Sequence, residues 1–359
     1  MTNIISIGTA TPAWCHSQQD ILGFMQQLYQ LPAEEQRKLA FLYKHSGIDQ
    51  RYSVIADYGL PREQWQFLPK QPGEAFPLLE ERMQLYQQHA LPLSLQAVEG
   101  CLKGHLAPEN ITHLVTVSCT GMSAPGLDIQ VAEALQLPGN TFRTSVNFMG
   151  CYAAIHALKL AHLICAGNEP ANVLIVDTEL CTLHFQQAYT PDNAASSLLF
   201  ADGSAAVLLS NTTPRGRHVA IQDFYSLVAT RGKQDMAWEL SSKGFLMTLS
   251  GYIPQLIQQD IVPLVQQALA HSQLPREAVI NWCIHPGGKK ILDVIERQLQ
   301  LPEDALCFSR RVLQQYGNLS SPTILFVLKD MLQSAARGPV FGAAFGPGLT
   351  METFTGKLI

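Results

Sequence analysis

Short apolar runs alternate along this chain with longer segments of helical periodicity. The runs, each four or five apolar and β-branched residues, predict strands covered on both faces: Ile4–Gly8, Leu114–Ser118, Val173–Asp177, Ala205–Leu209 and Trp282–His285. The helices predicted between them are Ser94–Lys103, Ile129–Leu137, Tyr152–Ala166, Tyr252–His271 and Ile291–Gln300. Such an alternation favours an α/β fold in which helices pack on the faces of sheets.

The clearest linker signal is Asn211–His218, a polar segment with proline and glycine that follows the fourth run. It predicts an N-terminal half of residues 1–210 and a C-terminal half of residues 211–359, with hints of a similar element order in each. Tyr58–Leu91 is less regular and has four prolines, so we expect a surface excursion of the first half. Because 47% of residues are hydrophobic and only 15% are charged, the chain can bury a large core.

Charge and cysteine usage exclude several classes of function. The chain has 24 Lys and Arg against 29 Asp and Glu, which offers neither the basic surface of a nucleic-acid-binding protein nor bulk attraction to anionic membranes. No uninterrupted run of 18 apolar residues predicts a membrane span, and the N-terminus lacks the pattern of a signal peptide. The eight cysteines include no CxxC pair, and Cys283 and His285 would diverge on opposite faces of a strand. We therefore expect a reduced, cytoplasmic protein without a metal site.

Cys151 is the first candidate for chemistry. It follows Gly150 and precedes small and apolar residues at helical spacing, so it is predicted at or just inside a helix N-terminus. Unpaired N–H groups and the helix dipole favour an anion there, and they can lower a cysteine pKa to roughly 3.5–7.5. A buried, inert cysteine is the alternative that this segment leaves open.

Three later segments add polar or glycine-rich positions where strands and helices end or begin. His285 ends an apolar strand before Pro-Gly-Gly, and strand-end loops are where α/β proteins place site residues. Asn318 precedes an apolar helix that Pro322 can start. Ala344–Thr350 has two glycines around Pro347, which predicts a loop that approaches something closely. The structural alternatives are a satisfied histidine, a helix cap and a hairpin turn.

Cys151, His285 and Asn318 together offer a nucleophile, a base or hydrogen-bond donor, and an orienting amide. A papain-like protease has its histidine and asparagine roughly 130–150 residues after its cysteine, and here the Cys–His separation is 134 residues (285 − 151). However, the C-G-S-C-[WY] signature is missing, and Asn318 follows His285 by only 33 residues (318 − 285). The protease interpretation is therefore disfavoured.

Longer segments resemble one known family, the type III polyketide synthases, which are the chalcone-synthase-like branch of the thiolase fold. The similar segments follow family order over nearly the whole chain: GTATP, RMQLYQQHALPLSLQAV, SCTGMSAPGLDIQ, NFMGCYAA, VDTELCTLHFQ, LLFADGSAAVLL, WCIHPGGKKILD, YGNLSSPTILFVL and AAFGPGLTMETF. An initiating β-ketoacyl synthase shares the Cys, His and Asn but generally lacks the Phe345–Gly348 ending and the aromatic gate. The resemblance implies a five-layered αβαβα thiolase fold of two similar halves, assembled as a homodimer.

The resemblance also implies roles for individual residues. Cys151 would be the acyl-accepting nucleophile, with His285 and Asn318 as its partners. Phe200 would be a gate between an entrance tunnel and the reaction pocket. The positions that would line the elongation and cyclisation pocket are Cys119, Thr120, Glu179, Cys181, His184, Gly244, Ser320, Gly346, Pro347 and Gly348.

By the same resemblance, Lys44 and Arg51 would contact the phosphates of CoA. Asp49 and Gln50 stand where the family commonly has Lys or Arg. This reduced basicity leaves room for a starter carried by acyl-carrier protein instead of acyl-CoA.

The implied activity is iterative decarboxylative condensation of malonyl-CoA onto an acyl thioester, followed by cyclisation, with no cofactor besides the CoA thioester substrates. His285 and Asn318 would stabilise the enolate left when malonyl thioester loses CO₂, and the backbone N–H of Cys151 would serve the other oxyanion. Small pocket residues such as Cys119 and Gly244 favour a fatty acyl starter and a pyrone or resorcinol product. The alternatives are a β-ketoacyl synthase performing one condensation and a catalytically silent partner of the same fold.

Overall fold

The computed structural model describes residues 2–71, 73–167, 169–229, 232 and 235–359. Its strands are β1 (Thr2–Ala10), β2 (Trp14–Ser17), β3 (Gln50–Ser53), β4 (His113–Ser118), β5 (Phe142–Asn147), β6 (Asn172–Leu180), β7 (Asp202–Ser210), β8 (Val219–Val228), β9 (Met236–Ser241), β10 (Gly244–Leu249), β11 (Asn281–Ile284), β12 (Gly338–Gly346) and β13 (Thr350–Leu358). Its α-helices are α1 (Gln18–Tyr29), α2 (Ala33–Lys44), α3 (Leu79–Leu102), α4 (Leu127–Ala134), α5 (Ala153–Cys165), α6 (Pro191–Leu199), α7 (Ile253–His271), α8 (Lys289–Gln298), α9 (Cys307–Tyr316) and α10 (Thr323–Gln333).

Nine strands form one sheet in the order β11–β12–β13–β8–β1–β7–β6–β4–β5. The two halves of the chain meet where β1 pairs with β8 over only three residues. From that junction outwards, each half has two antiparallel pairings followed by a parallel one, β1–β7–β6–β4 and β8–β13–β12–β11. The strands take these places in the same chain order in both halves, so the similarity that the sequence hinted at is present as topology.

Helices lie in three layers around the two half-sheets. α5 and α10 share one buried core with strands of both halves, in which Ile155 and Val327 lie with Ile175 and Val340. α1, α3 and α6 bury apolar side chains on the outer face of the N-terminal half-sheet. α7, α8 and α9 do the same on the C-terminal half-sheet. The expected αβαβα arrangement is therefore confirmed.

All five predicted strands are present, as β1, β4, β6, β7 and β11. β11 ends at Ile284, so His285 is the first residue of the loop that follows. The predicted helices correspond to the C-terminal part of α3 and to α4, α5, α7 and α8. None of the helices within the described ranges is both long and apolar enough to cross a bilayer.

The segment 58–91 is exposed over much of its length, as expected of a surface excursion, but buried side chains anchor it to the core. Trp65 is fully buried in the N-terminal core. The Asp57 carboxylate accepts the backbone N–H groups of residues 66–68 at 2.8–3.0 Å. Because these donors are satisfied by one buried side chain, the irregular backbone packs inside without a helix or a strand. α3 then begins at Leu79 and continues through the helix predicted at Ser94–Lys103.

Candidate active site

A cavity is lined by residues of both halves, among them residues of α6 and of the β9–β10 hairpin. Its empty volume is about 1110 Å³, including the part that is open to solvent. Cys151, Phe200, His285 and Asn318 all line it. The fold therefore brings together four side chains that are spread over 167 positions of the sequence (318 − 151).

Cys151 lies in the turn that leads from β5 into α5. The helix begins at Ala153 with Tyr152 as its N-cap, so the cysteine stands just ahead of the helix instead of inside it. Gly150 has a φ of +79°, and a Cβ at this position would lie 2.2 Å from Cδ of Pro347. Only glycine allows this backbone and this approach together. The glycine-rich loop near the C-terminus therefore packs directly against the cysteine turn, as its sequence predicted.

The Cys151 thiol is buried, with its Sγ 3.7 Å from Oγ of Ser320. Burial is the largest influence and raises the pKa of the thiol to about 12; a hydrogen bond with Ser320 lowers it, and the Glu179 carboxylate raises it. The expected depression of this pKa by the helix N-terminus is wrong. The sulfur lies ahead of the helix and has lost its water, and this desolvation outweighs the dipole.

His285 is fixed by its backbone N–H, which donates to the carbonyl of Ala343 in β12 at 2.9 Å. Within the described part of the chain, neither ring nitrogen has a hydrogen-bond partner, although both are buried. Burial lowers the pKa of the imidazole to about 3, so this ring alone is neutral at pH 7. A buried imidazole with two unused nitrogens in a cavity is typical of a group that binds a ligand or accepts a proton.

Asn318 is held by its backbone and by one end of its side chain. Its N–H donates to Leu199 O, and its carbonyl accepts from Ala201 N–H, both at 2.9 Å. Its side-chain Oδ1 accepts from the backbone N–H of Ser320 at 2.8 Å. Its Nδ2 makes a long contact of 3.4 Å with Gly287 O, and the side chain also interacts with the Cys151 thiol, whose pKa it lowers. The oxygen end of the amide is therefore fixed, and the N–H₂ end remains available as a donor.

Phe200 follows α6 and packs against Cys151 and Cys181, with Met247 of β10 beside it. Its carbonyl oxygen accepts a hydrogen bond of 2.6 Å from Nη1 of Arg51. An aromatic ring held at this place covers the sulfur with apolar surface. The gate role of Phe200 stays a prediction.

Arg51 is only 4% exposed, and its Nε donates to Oε1 of Gln18 at 3.0 Å. Arg51 also lines the cavity, and its Nη2 has no hydrogen-bond partner among the described residues, so its predicted contact with CoA phosphates stays a prediction. Its observed role is to hold the backbone at Phe200. Lys44, at the end of α2, is exposed and keeps its predicted role as a phosphate contact.

Six of the ten predicted pocket residues line the cavity: Cys119, Thr120, Cys181, His184, Ser320 and Pro347. The other four predicted residues do not line it: Glu179, Gly244, Gly346 and Gly348. Glu179 is one layer behind it, where it accepts the backbone N–H of Cys119. Gly244 begins β10, and Gly348 lies in the turn between β12 and β13. Gly346 supports the cysteine turn, since a Cβ there would lie 3.3 Å from the backbone nitrogen of Cys151.

The floor of the cavity is an aromatic cluster of His184, Trp238 and Phe245. His184 stacks on Phe245 with ring centroids 4.2 Å apart, and its Nδ1 accepts the Phe245 N–H at 3.1 Å. Its Nε2 therefore carries the proton and donates to Thr120 O at 2.7 Å. Burial lowers the pKa of His184 to about 3, so it is a neutral structural ring with both nitrogens in use.

Trp238 donates from Nε1 to Cys119 O at 2.8 Å, which holds its indole ring against the floor. Sequence analysis missed both Trp238 and Phe245. The only available signal was the alternating pattern of MAWELS and GFLMTL, which is typical of a hairpin but does not say what the hairpin covers.

Comparison with known proteins agrees with this geometry. The family described as "Chalcone and stilbene synthases, N-terminal domain" matches residues 1–213, and its C-terminal counterpart matches residues 218–358. "Type III polyketide synthase A" of Arabidopsis thaliana is 30% identical over 97% of this chain and 91% of its own length. "Alpha-pyrone synthesis polyketide synthase-like Pks18" of Mycobacterium tuberculosis is 28% identical over 97% of this chain and 89% of its own.

A solved structure, the C-terminal type III polyketide synthase domain of Steely1 from Dictyostelium, superposes with a TM-score of 0.90. It is 27% identical, and the match covers 100% of this chain and 99% of that domain. The family matches together cover both halves of the chain. The chain therefore belongs to the chalcone and stilbene synthase family of type III polyketide synthases, and it is an enzyme of the acyltransferase class.

Proposed function

We propose that this enzyme extends an acyl thioester by iterative decarboxylative condensation with malonyl-CoA and releases a cyclised product. The observation that carries the proposal is one buried cavity containing a thiol, an imidazole with two unused nitrogens and an oriented carboxamide, from Cys151, His285 and Asn318. Such a set stores an acyl chain on sulfur and directs two N–H donors at a developing enolate. Its chemistry needs no cofactor besides the CoA thioesters.

In the proposed cycle, the sulfur of Cys151 attacks the starter thioester, a new S–C bond forms, and CoA leaves as its thiol after taking up a proton. Malonyl-CoA then loses CO₂, and the electron pair of the broken C–C bond becomes an enolate whose oxygen accepts N–H groups from His285 and Asn318. The enolate carbon attacks the acyl-Cys151 thioester and releases the thiolate. Transfer of the lengthened chain from CoA back to the sulfur begins the next round. Phe200 excludes water throughout.

His285 is the proposed acceptor of the thiol proton. Burial opposes the thiolate and the imidazolium separately, but proton transfer between them produces two opposite charges that stabilise each other. We expect His285→Gln to slow alkylation of Cys151 by iodoacetamide at pH 7 by roughly 10²-fold, the loss typical of a missing general base. Mass spectrometry of the Cys151 peptide measures this rate.

The matched control for this variant is His45→Gln, which removes an exposed imidazole. Cys151 should be alkylated in His45→Gln at the same rate as in the wild type. An unchanged rate in folded His285→Gln protein would show that another group removes the proton.

The aromatic floor bears on product length. Trp238 and Phe245 line the cavity beside Cys119, and their bulk argues against the room for a long chain that small residues such as Cys119 favour. A six-membered lactone needs an oxygen on the fifth carbon of the chain and therefore only two extensions, whereas a resorcinol ring needs three. We therefore propose a pyrone product. The relative named for α-pyrone synthesis supports this choice.

We expect Trp238→Ala to lengthen the product by at least one two-carbon unit, because removing the indole ring deepens the cavity. Mass spectrometry of products from one starter and malonyl-CoA gives the chain length directly. Leu246→Ala is the matched control, since Leu246 lies in the same hairpin but is partly exposed and outside the cavity lining among the described residues. An unchanged product in active Trp238→Ala enzyme would mean that the floor does not set the length.

The proposed partners are malonyl-CoA, a starter on CoA or acyl-carrier protein, and a second copy of the chain. The edge strand β5 supports a dimer, because Phe142 on it is 71% exposed and Ile129 of the neighbouring α4 is also exposed. An open edge strand with an exposed large apolar side chain is a ready-made surface for pairing with another chain.

The test of the proposed function is incubation with a panel of acyl-CoA and acyl-carrier-protein starters together with malonyl-CoA, followed by mass spectrometry. We expect cyclised products that contain two or more malonyl-derived units. Products with one unit would identify a β-ketoacyl synthase. No product with any starter, together with no selective labelling of Cys151 by iodoacetamide, would identify a silent partner.

A further inference from the structure

Two carboxyl groups lie together behind the cavity wall, and the proposed cycle uses neither. Asp177 and Glu179 are two positions apart on β6, so both side chains project from the same face of the strand. Both are fully buried, as is Ser321, which precedes α10. The Oγ of Ser321 lies 2.6 Å from Oδ1 of Asp177 and 3.1 Å from Oε1 of Glu179.

The two carboxyl groups differ in the number of hydrogen-bond donors around them. Glu179 accepts the backbone N–H of Cys119 at 2.9 and 3.0 Å and the hydroxyl of Thr120 at 2.7 Å. Asp177 contacts only Ser321, and its Oδ2 has no partner in the part of the chain that is described. A buried anion needs donors, and only Glu179 has several.

The serine hydroxyl has one proton and stands between two acceptors, so both short contacts require a second proton. If that proton is on Oδ1 of Asp177, then Asp177 donates to Ser321 and Ser321 donates to Glu179. Every short contact then has one hydrogen, and the pair has a single negative charge. Burial raises the pKa of both carboxyl groups above their usual ranges, that of Glu179 to about 7.

The hydrogen-bonded residues Asp177, Ser321 and Glu179 form a carboxyl relay. This relay is also connected to the turn that contains Cys151. Glu179 holds the backbone of Cys119, and the Sγ of Cys119 accepts the N–H of Gly150 at 3.0 Å, next to Cys151. At its other end, the relay residue Ser321 follows Ser320, whose Oγ lies 3.7 Å from the Cys151 sulfur. The titratable groups that interact electrostatically with the pair are Tyr86 of α3 and the thiols of residues 119, 151 and 181.

We propose that Asp177 is a neutral carboxylic acid, that it donates through Ser321 to Glu179, and that the single charge on Glu179 positions the cysteine turn and opposes ionisation of Cys151. Asp177 and Glu179 are thus a positioning pair for the reaction. The inference rests on the proposed role of Cys151 as the nucleophile.

The test compares Glu179→Gln with Asp177→Asn, which are isosteric and remove one ionisable group each. Glutamine can still accept at Cys119 and Thr120 while its amide donates to Ser321, and asparagine can replace the acid proton with an N–H donor. The measurement is the pH midpoint of Cys151 alkylation by iodoacetamide. We expect Glu179→Gln to lower it by about one pH unit and Asp177→Asn to leave it unchanged.

Infrared difference spectroscopy at neutral pH supplies a second readout, the carbonyl stretch of a protonated carboxylic acid. This band should be present in the wild type and lost in Asp177→Asn. The proposal would be overturned if Asp177→Asn lowered the pH midpoint of alkylation, or if neither variant shifted it. It would also be overturned if the infrared band persisted in Asp177→Asn. Melting temperatures verify that each variant is folded.

Neither readout requires a polyketide product. An enzyme that makes no product but shows these shifts would contradict the proposed function and keep the carboxyl relay. An enzyme that makes the product but shows neither shift would support the proposed function and overturn the carboxyl relay.

Discussion

Replacing Cys151 with alanine is expected to abolish acylation of the protein and formation of any polyketide, while CO₂ is still released from malonyl-CoA at a measurable rate. The reason is a division of labour within the cavity. The thiol alone can accept the acyl chain, whereas the donors proposed to stabilise the enolate, His285 and Asn318, remain in place in the variant. Intact-protein mass spectrometry measures acylation, and release of labelled CO₂ measures decarboxylation.

Cys181→Ala is the matched control for this prediction, because Cys181 is equally buried in the same cavity and also packs against Phe200. It should retain acylation. Complete loss of CO₂ release in folded Cys151→Ala protein would show that the sulfur also takes part in decarboxylation.

We expect Asn318→Ala to depress decarboxylation by roughly 10²–10³-fold, the usual loss for removal of one donor from an oxyanion site. The structure gives the reason, since Oδ1 of Asn318 is occupied by the N–H of Ser320 and the amide N–H₂ is the end available to an enolate. The measurement is the rate of CO₂ release from malonyl-CoA at saturating substrate.

Asn318→Asp distinguishes loss of the donor from loss of local structure. The aspartate keeps an acceptor for Ser320 N–H but has no N–H to give, and its charge repels an enolate. We expect it to be at least as impaired as the alanine variant while unfolding at a temperature close to that of the wild type. Near-wild-type CO₂ release from either variant would assign the donor elsewhere.

Much of the fold could be predicted because its signals are local. Buried parallel and mixed strands are continuous apolar runs, and five such runs become β1, β4, β6, β7 and β11. The burial of Trp65 could not be predicted, because the backbone beside it is satisfied by the Asp57 carboxylate, a contact that no periodic pattern records.

The candidate nucleophile and its partners could also be found from the sequence. A cysteine after a glycine, a histidine at the end of an apolar strand and an asparagine before an apolar helix each stand out locally, and all three line one cavity. Arg51 could not be placed, because its burial depends on the carbonyl of Phe200 and the side chain of Gln18.

Two further features depend on contacts between distant segments. Trp238 lines the cavity because the β9–β10 hairpin packs against it and because the carbonyl of Cys119 accepts a hydrogen bond from the indole N–H. The pKa of Cys151 depends on how completely both halves of the chain exclude water from its sulfur. Helix position alone therefore predicted the wrong direction for this pKa.

The most direct test of the account is to expose the purified enzyme to one acyl-CoA, digest it, and locate the added mass before and after a chase with malonyl-CoA. The account predicts one acyl group per chain, bound to residue 151, which disappears during the chase and is recovered in the released product. An acyl group on another residue, or a product that forms without this intermediate, would contradict it.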